Sequence, residues 1–148
     1  MTLDPATATA AYIDSLGPEA LAKAANYTAG GHWLLLWGLA ISALVTWAVL
    51  RSGVLDSLAS RLANRGWALR TWLICAAFLL TNAIVTLPWS IYTEWVRETN
   101  YGRTSQPLGD FLGQNAIGIV LSTLLGALFF LGIYALIKRS GQIGRAHV

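Results

Sequence analysis

The chain has 148 residues, of which 55% are hydrophobic and only 11% are charged, and its mean hydropathy is +0.55. A soluble domain of this size needs many more charges to cover its surface, so the composition excludes a soluble globule and predicts a membrane protein. The net charge of +3 comes from basic residues that flank the apolar runs, and no basic patch with interleaved aromatic residues predicts binding to nucleic acid.

Residues 1–30 form a polar to weakly amphipathic extramembrane segment before the first apolar run. Its first twelve residues carry no ordered pattern and are predicted to be disordered. Pro18 and the acid after it favour a helix start, and the pair Gly30-Gly31 favours a stop. The pattern therefore predicts a short helix over 18–27 that lies at the outer membrane surface.

Three apolar runs, 32–50, 71–89 and 116–137, are long enough to cross ~30 Å of hydrocarbon at ~1.5 Å per helical residue. None contains Asp, Glu, Lys or Arg. Each run is predicted to be an α-helix, because backbone amides in lipid must find hydrogen-bond partners within their own segment. The fold class is an all-α membrane protein with three transmembrane helices, and 31–139 form a membrane domain that is part of a larger helical bundle.

The loops between these runs differ in charge. The first loop is basic, with one acid, Asp56, against the following arginines: Arg51, Arg61, Arg65, Arg70. The second loop is acidic, with more carboxylates than cations among the following residues: Glu94, Arg97, Glu98, Arg103, Asp110. Because basic loops stay in the cytoplasm, the pattern predicts an outside N-terminus and a cytoplasmic C-terminus, most simply in a bacterial inner membrane.

Small residues recur every four positions on two of the predicted helices. Gly118, Ser122 and Gly126 do so on the third helix, and Gly38 begins a similar series on the first. Such a stripe lets two helix backbones approach closely, so we expect helix packing there. The alternative is that Gly and Ser are simply frequent in membrane helices.

Asn82 lies near the middle of the second apolar run, where its carboxamide needs a partner. It either faces a hydrated cavity or makes a hydrogen bond to a neighbouring helix, and we favour the hydrogen bond. Cys75 in the same run is the only cysteine, so no disulfide within the chain is possible.

Residues 89–101 have an amphipathic pattern and are predicted to form a helix outside the membrane. Pro88 at its start would bend the chain or begin a new helix, and Gly102 would end it as a left-handed cap. Glu94 and Glu98 have the spacing of an acid/base pair. With Arg97 between them and no His nearby, a salt-bridged surface is the favoured interpretation.

The stretch around this helix is the most informative in the sequence: residues 87–102 read LPWSIYTEWVRETNYG and 106–111 read QPLGDF. It resembles the signature of the CAAX prenyl protease (a-factor-converting) family of membrane zinc metallopeptidases. Arg103 and Thr104 depart from the usual pattern, which leaves the subfamily and substrate open. The signature positions, structural or chamber-lining, are Leu87, Pro88, Ser90, Tyr92, Glu98, Gly102, Gln106, Gly109 and Phe111.

The resemblance implies peptide hydrolysis by a zinc-bound water in the complete enzyme, which requires a His-Glu-x-x-His motif. This chain has no such motif, and its two histidines, His32 and His147, stand far apart. No catalytic residue, metal ligand or bound cofactor is therefore expected in the chain itself. The implied partners are the lipid bilayer, the remaining helices and catalytic domain of a parent protease, and a peptide or protein substrate.

Residues 140–148 end in a hexapeptide that one frame of a common sequencing adapter would encode, which indicates an artificial truncation. The alternative is a genuine short tail. Two other functions stay open on the sequence: a complete small membrane protein that acts as an interaction subunit or scaffold, and a transporter half with Asn82 and Pro88 as its functional positions.

Overall fold

The computed structural model describes residues 4–143, with side chains described for 4–140, and this part of the chain is helical without any strand. The helices in chain order are α1 (Pro5–Ser15), α2 (Gly17–Arg51), α3 (Val54–Arg61), α4 (Trp67–Ser90), a π-helical segment (Ile91–Val96), α5 (Arg97–Asn100) and α6 (Leu108–Ile143). The predicted all-α fold class is confirmed.

Three helical stretches are long and apolar enough to cross a membrane: Gly17–Arg51, Trp67–Asn100 and Leu108–Ser140. They contain the three predicted runs, and the protein is an integral membrane protein. Each stretch exceeds 30 residues, so each is about 50 Å long and extends well beyond a ~30 Å hydrocarbon core. Most of their large apolar side chains are exposed, as expected for surfaces in contact with lipid.

α1 occupies a part of the chain that was predicted to be disordered, and that prediction was wrong. The Asp4 carboxylate caps this helix by accepting hydrogen bonds from the Thr7 hydroxyl at 2.7 Å and the Ala6 amide at 3.3 Å. Pro5 takes the first helical position, where its missing N–H costs nothing. The same hydrogen bonds, that from Thr7 foremost, hold the pKa of Asp4 below its usual value because they stabilise the carboxylate.

α2 is a single helix where the sequence predicted two, over 18–27 and 32–50. Gly30 and Gly31 lie inside it, and the real break is at Gly17, whose φ of 79° separates α1 from α2. A helical glycine costs only about 1 kcal/mol relative to alanine, so tertiary contacts readily override the signal. The limits of the membrane domain, 31–139, stay a prediction.

α2 and α4 run antiparallel and pair along their length. Near the middle, Thr46 Oγ1 donates a hydrogen bond to Asn82 Oδ1 at 3.2 Å, and Asn82 Nδ2 donates to the Phe78 carbonyl at 2.9 Å. The favoured interpretation of Asn82, a hydrogen bond between helices, is confirmed. Further along, Gly38 faces Trp89, since a Cβ at Gly38 would lie 3.6 Å from the indole Nε1.

α6 packs antiparallel along α4, which is therefore the central helix. A Cβ built on Gly126 would lie 2.8 Å from Leu79 Cδ1, so the end of the Leu79 side chain packs directly on Gly126 and would have to move for any side chain there. A Cβ on Gly118 would meet nothing within 4 Å, and Ser122 is exposed. Only Gly126 of the three faces a neighbour, and the packing role of the whole stripe stays a prediction.

The bundle has two ends, named here for what lies at each. The signature end carries residues 87–111 together with the N-terminal half of α2. The arginine-rich end carries α3 and the four arginines of the first loop. At that end Gly53, with φ of 71°, turns the chain from α2 into α3.

Candidate functional site at the signature end

The helix that carries the signature does not break at its proline. α4 continues through Pro88, and over Ile91–Val96 the hydrogen bonding widens to a π-helix, in which the Arg97 amide donates to the Tyr92 carbonyl five positions back. The separate helix predicted over 89–101 is thus a continuation of α4. One extra residue in a turn rotates everything that follows by about 100° around the axis.

Side-chain hydroxyl groups accompany this change of helix geometry. Thr93 Oγ1 donates to the Trp89 carbonyl at 3.0 Å, and Thr99 Oγ1 donates to the Trp95 carbonyl at 2.8 Å. Each hydroxyl satisfies a carbonyl oxygen on the preceding turn, which suits a segment whose backbone pairing is irregular. The rotation brings Arg97 and the residue after it onto α2.

Arg97 is the central side chain of the site and only 12% exposed. Its Nη2 donates to the Tyr27 carbonyl, and its guanidinium carbon lies 4.0 Å from the centroid of the Tyr27 ring. Cβ atoms built on Gly30 and Gly31 would lie 3.5 Å and 3.7 Å from Nη2, so the guanidinium packs against both glycines and only a side chain larger than alanine would collide with it. Contact with a ring face and a carbonyl stabilises a cation that is largely removed from water.

Glu98 supplies the negative charge. Its Oε1 accepts a hydrogen bond from the Tyr27 hydroxyl at 2.6 Å and lies 3.6 Å from Arg97 Nη1, while Oε2 accepts from Arg103 Nε at 2.9 Å. Glu94, by contrast, is exposed. The predicted salt bridges of Glu98 are present, but Arg97 and Glu98 are largely buried and do not form the solvated face that was also predicted.

The chain reverses immediately after α5. Gly102 has φ of 71°, its amide donates to the Thr99 carbonyl at 3.0 Å, and the Arg103 amide donates to the Glu98 carbonyl at 2.8 Å. These two bonds define a Schellman cap, as predicted for Gly102. The turn brings Arg103 back to Glu98 and places its guanidinium 4.7 Å from the centroid of the Tyr27 ring.

Two further contacts complete the site. The rings of Tyr27 and Tyr101 meet edge to face at 5.1 Å, and Trp95 Nε1 donates to the Gln106 carbonyl at 2.9 Å. The Gln106 amide donates in turn to Thr104 Oγ1 at 3.1 Å. We call Tyr27, Arg97, Glu98, Tyr101 and Arg103 the outer cluster. Asn82 lies near the middle of its span, and Glu98 lies about 24 Å from it along the helix, which is beyond the ~15 Å half-thickness of the hydrocarbon.

The signature positions are not all gathered in one place. Glu98 belongs to the outer cluster, while Gly102 and Gln106 shape the turn behind it. Tyr92 is 51% exposed, and Pro88 and Gly109 are also exposed, whereas the remaining signature residues are half-buried: Leu87, Ser90, Phe111. Sequence reasoning did not assign Tyr27 to the site, since a contact across 70 positions leaves no local pattern.

Within residues 4–143 no group of three or more His, Cys, Asp and Glu side chains could hold a metal ion. His32 is exposed on α2, and His147 lies outside the described residues. Cys75 is a free, half-buried thiol on α4. The chemistry of the outer cluster is that of a structural clasp, which joins α2 to the end of α4 through charge-assisted hydrogen bonds and ring contacts.

The fold and this clasp define an all-helical membrane domain in which the signature segment fastens the first spanning helix. The family model described as CAAX prenyl protease N-terminal, five membrane helices, matches residues 5–144. The chain belongs to this family of N-terminal membrane domains. Neither the curated proteins nor the solved structures contain a significant match.

Proposed function

We propose that the chain is the N-terminal part of a membrane zinc metalloendopeptidase and forms part of the wall of its membrane chamber. The observation that carries the proposal is the signature, which runs in register from residue 87 to 111 and supplies most of the clasp at the signature end. In this role the chain contributes wall and packing surface, and peptide hydrolysis takes place on other parts of the parent enzyme.

Zinc is the cofactor proposed for the complete enzyme, where it would supply an activated water at a position left open among three protein ligands. The ligands would be the two histidines of a His-Glu-x-x-His helix and a later carboxylate. This chain contains no His-Glu-x-x-His motif. The chain's own part is to hold its helices in one arrangement. The outer cluster does this at one end of the bundle, and the Thr46–Asn82 hydrogen bond does it near the middle.

The proposed orientation places the signature end outside a bacterial inner membrane and the arginine-rich end in the cytoplasm. Four arginines against one acid in the first loop carry this assignment, because basic loops resist translocation. The partners proposed beyond the bilayer are the remaining helices, the catalytic domain of the parent enzyme and its peptide or protein substrate.

The test compares two proteins: the 148-residue chain, and the product of the uninterrupted gene read past the codon for Arg139. Both are purified in detergent, dialysed, and assayed for zinc by elemental analysis and for cleavage of prenylated and unprenylated peptides. We expect zinc and chelator-sensitive cleavage from the longer product alone. Chelator-sensitive cleavage by the short chain that survives replacement of both histidines would refute the proposal.

A second candidate is a complete small membrane protein that acts as a scaffold. The observation behind it is that Gly118 and Ser122 are exposed on α6, where two small residues leave a surface that can receive a helix of another protein. An early stop codon after Arg139 in the genome would support the scaffold, and a His-Glu-x-x-His within a few hundred codons would support the protease.

A further inference from the structure

A groove separates the start of α4 from the end of α6 at the arginine-rich end. Its walls are mostly apolar and include Ile74, Cys75, Tyr134 and Ile137, with Trp67 at the start of α4 and Lys138 near the end of α6. We infer that this groove binds one anionic phospholipid, with an acyl chain along the apolar walls and the phosphate against Lys138. The inference is independent of the proposed protease function.

The depth of the groove fits a lipid molecule. Asn82 lies near the middle of the membrane span, so Ile74 lies about 12 Å and Trp67 about 22 Å from the bilayer centre along α4. The groove therefore begins among acyl chains and ends at the level of the headgroups. A molecule that fills it must be apolar at one end and polar at the other.

The charge at the mouth selects an anion. Lys138 Nζ lies 4.6 Å from the centroid of the Trp67 ring, which fixes the cation above the groove and leaves ammonium protons for another acceptor. Among the described residues no carboxylate lies within ion-pair distance of Lys138. Both ion pairs of that part of the chain involve Glu98, at the opposite end of the bundle. Arg70 and Arg139, both exposed, adjoin the lining residues in sequence and add positive charge.

The chain offers a matched control for Lys138. Arg51 at the end of α2 also lies over an indole ring, that of Trp47, with 5.8 Å between guanidinium carbon and ring centroid. It belongs to the same end of the bundle but does not line the groove. A general attraction between basic residues and anionic lipid would weaken equally when either cation is removed.

The experiment is native mass spectrometry of the 148-residue chain, released from micelles that contain equal amounts of phosphatidylglycerol and phosphatidylcholine. We expect one retained phosphatidylglycerol. Lys138→Gln should weaken its binding about fivefold, as expected for one cation near a membrane surface. Arg51→Gln should leave it unchanged, and Ile74→Trp, which fills the groove without changing charge, should weaken the binding of both lipids.

Three results would overturn the inference: equal retention of the two lipids, equal loss in Lys138→Gln and Arg51→Gln, or a dimer that Ile74→Trp dissociates while lipid binding persists. Should a variant fold poorly, the unmodified chain in vesicles with a diazirine-tailed phosphatidylglycerol gives a separate reading. Crosslinks at 71–75 and 134–138 support the site, and crosslinks spread evenly over all three spans refute it.

Discussion

Arg97 packs against two glycines of α2, where a side chain larger than alanine would reach its guanidinium. Its guanidinium fills the space beside Gly30 and Gly31, contacts the Tyr27 ring and carbonyl, and lies next to Glu98. A charge that is 12% exposed is stable there because Nη2 donates to the Tyr27 carbonyl, Nη1 lies 3.6 Å from the Glu98 carboxylate, and the guanidinium lies over the Tyr27 ring. The clasp therefore depends on complementary shape as much as on charge.

Replacing Glu98 by Gln should destabilise the protein by about 1–3 kcal/mol, because the change removes the charge that Arg97 and Arg103 share while Arg97 stays largely buried. Glu94→Gln is the matched control, since Glu94 is exposed on the same segment and should change little. Thermal unfolding in detergent, followed by circular dichroism, measures both. Equal melting temperatures for the two variants would mean that the clasp contributes nothing to stability.

The effect of a substitution at Gly30 on the stability of the protein should change sign with the size of the new side chain. Gly30→Ala should stabilise the protein by about 0.5–1 kcal/mol, because alanine favours the helix and its Cβ would meet Arg97 Nη2 at an ordinary contact distance of 3.5 Å. Gly30→Leu should displace the guanidinium and destabilise the protein by about 1–3 kcal/mol. The same melting experiment separates the two, and a Gly30→Leu variant as stable as Gly30→Ala would contradict the assigned contact.

At the scale of the element, α4 is decisive because both other spanning helices pack on it. Its face toward α6 includes Leu79, and its face toward α2 includes Asn82 and Trp89. The π-helical segment then turns the end of this helix so that Arg97 and Glu98 also reach α2. Without that extra residue, the side chains that follow would point elsewhere on the helix.

Gly126→Leu should displace the Leu79 side chain and disturb the packing of α6 on α4, since even a Cβ at this position would lie 2.8 Å from Leu79 Cδ1. The cost should be about 1–3 kcal/mol, as for other overpacked cores. Gly118→Leu adds the same side chain to the same helix where nothing lies within 4 Å, so it should be tolerated. A comparison of the two in a detergent unfolding assay decides the point; equal destabilisation would show that the close approach at Gly126 is not maintained.

The sequence predicted those features of the elements that depend on local composition. Apolar runs marked the three spans, and Gly102 marked the cap after α5 because few other residues adopt a positive φ. It missed the π-helical segment. No residue type indicates whether a backbone amide will bond to the carbonyl five positions back, as in a π-helix, or four positions back, as in an α-helix. It also missed α1, although Asp4-Pro5 is a recognisable helix start.

For the site, the limit was contact between distant positions. The sequence marked Glu98 through the signature and placed it in a salt-bridged surface, but it gave no reason to join it to Tyr27. Gly30 and Gly31 were interpreted as a helix stop because glycine lowers helix propensity locally. The guanidinium that packs beside them belongs to Arg97, which is far away in the sequence. The residue types along a sequence indicate local helix propensity, but they do not show which distant side chains fit against each other.

At the scale of the whole molecule, the two ends of the bundle differ in chemistry. The signature end holds a cluster in which charges are paired, and the arginine-rich end presents cations that are largely exposed. This difference leads to a prediction about orientation in cells.

In a Cys75→Ala background, a cysteine at Ser60 should be protected from a membrane-impermeant thiol reagent in intact cells, and one at Ser105 should be labelled. Both positions are exposed, so accessibility across the membrane and not burial decides the result. Disrupted cells, in which both should react, provide the control. The reverse pattern in intact cells would invert the proposed topology.

The separation of Tyr27 from its partners along the chain also sets an order of events during synthesis. Tyr27 leaves the ribosome about 70 residues before Glu98, and at 5–20 residues per second the delay is on the order of ten seconds. Throughout that interval the N-terminal half of α2 lacks its contacts with Arg97 and Glu98. The contact between Tyr27 and Glu98 can therefore form only after the end of α4 has been synthesised and lies beside α2.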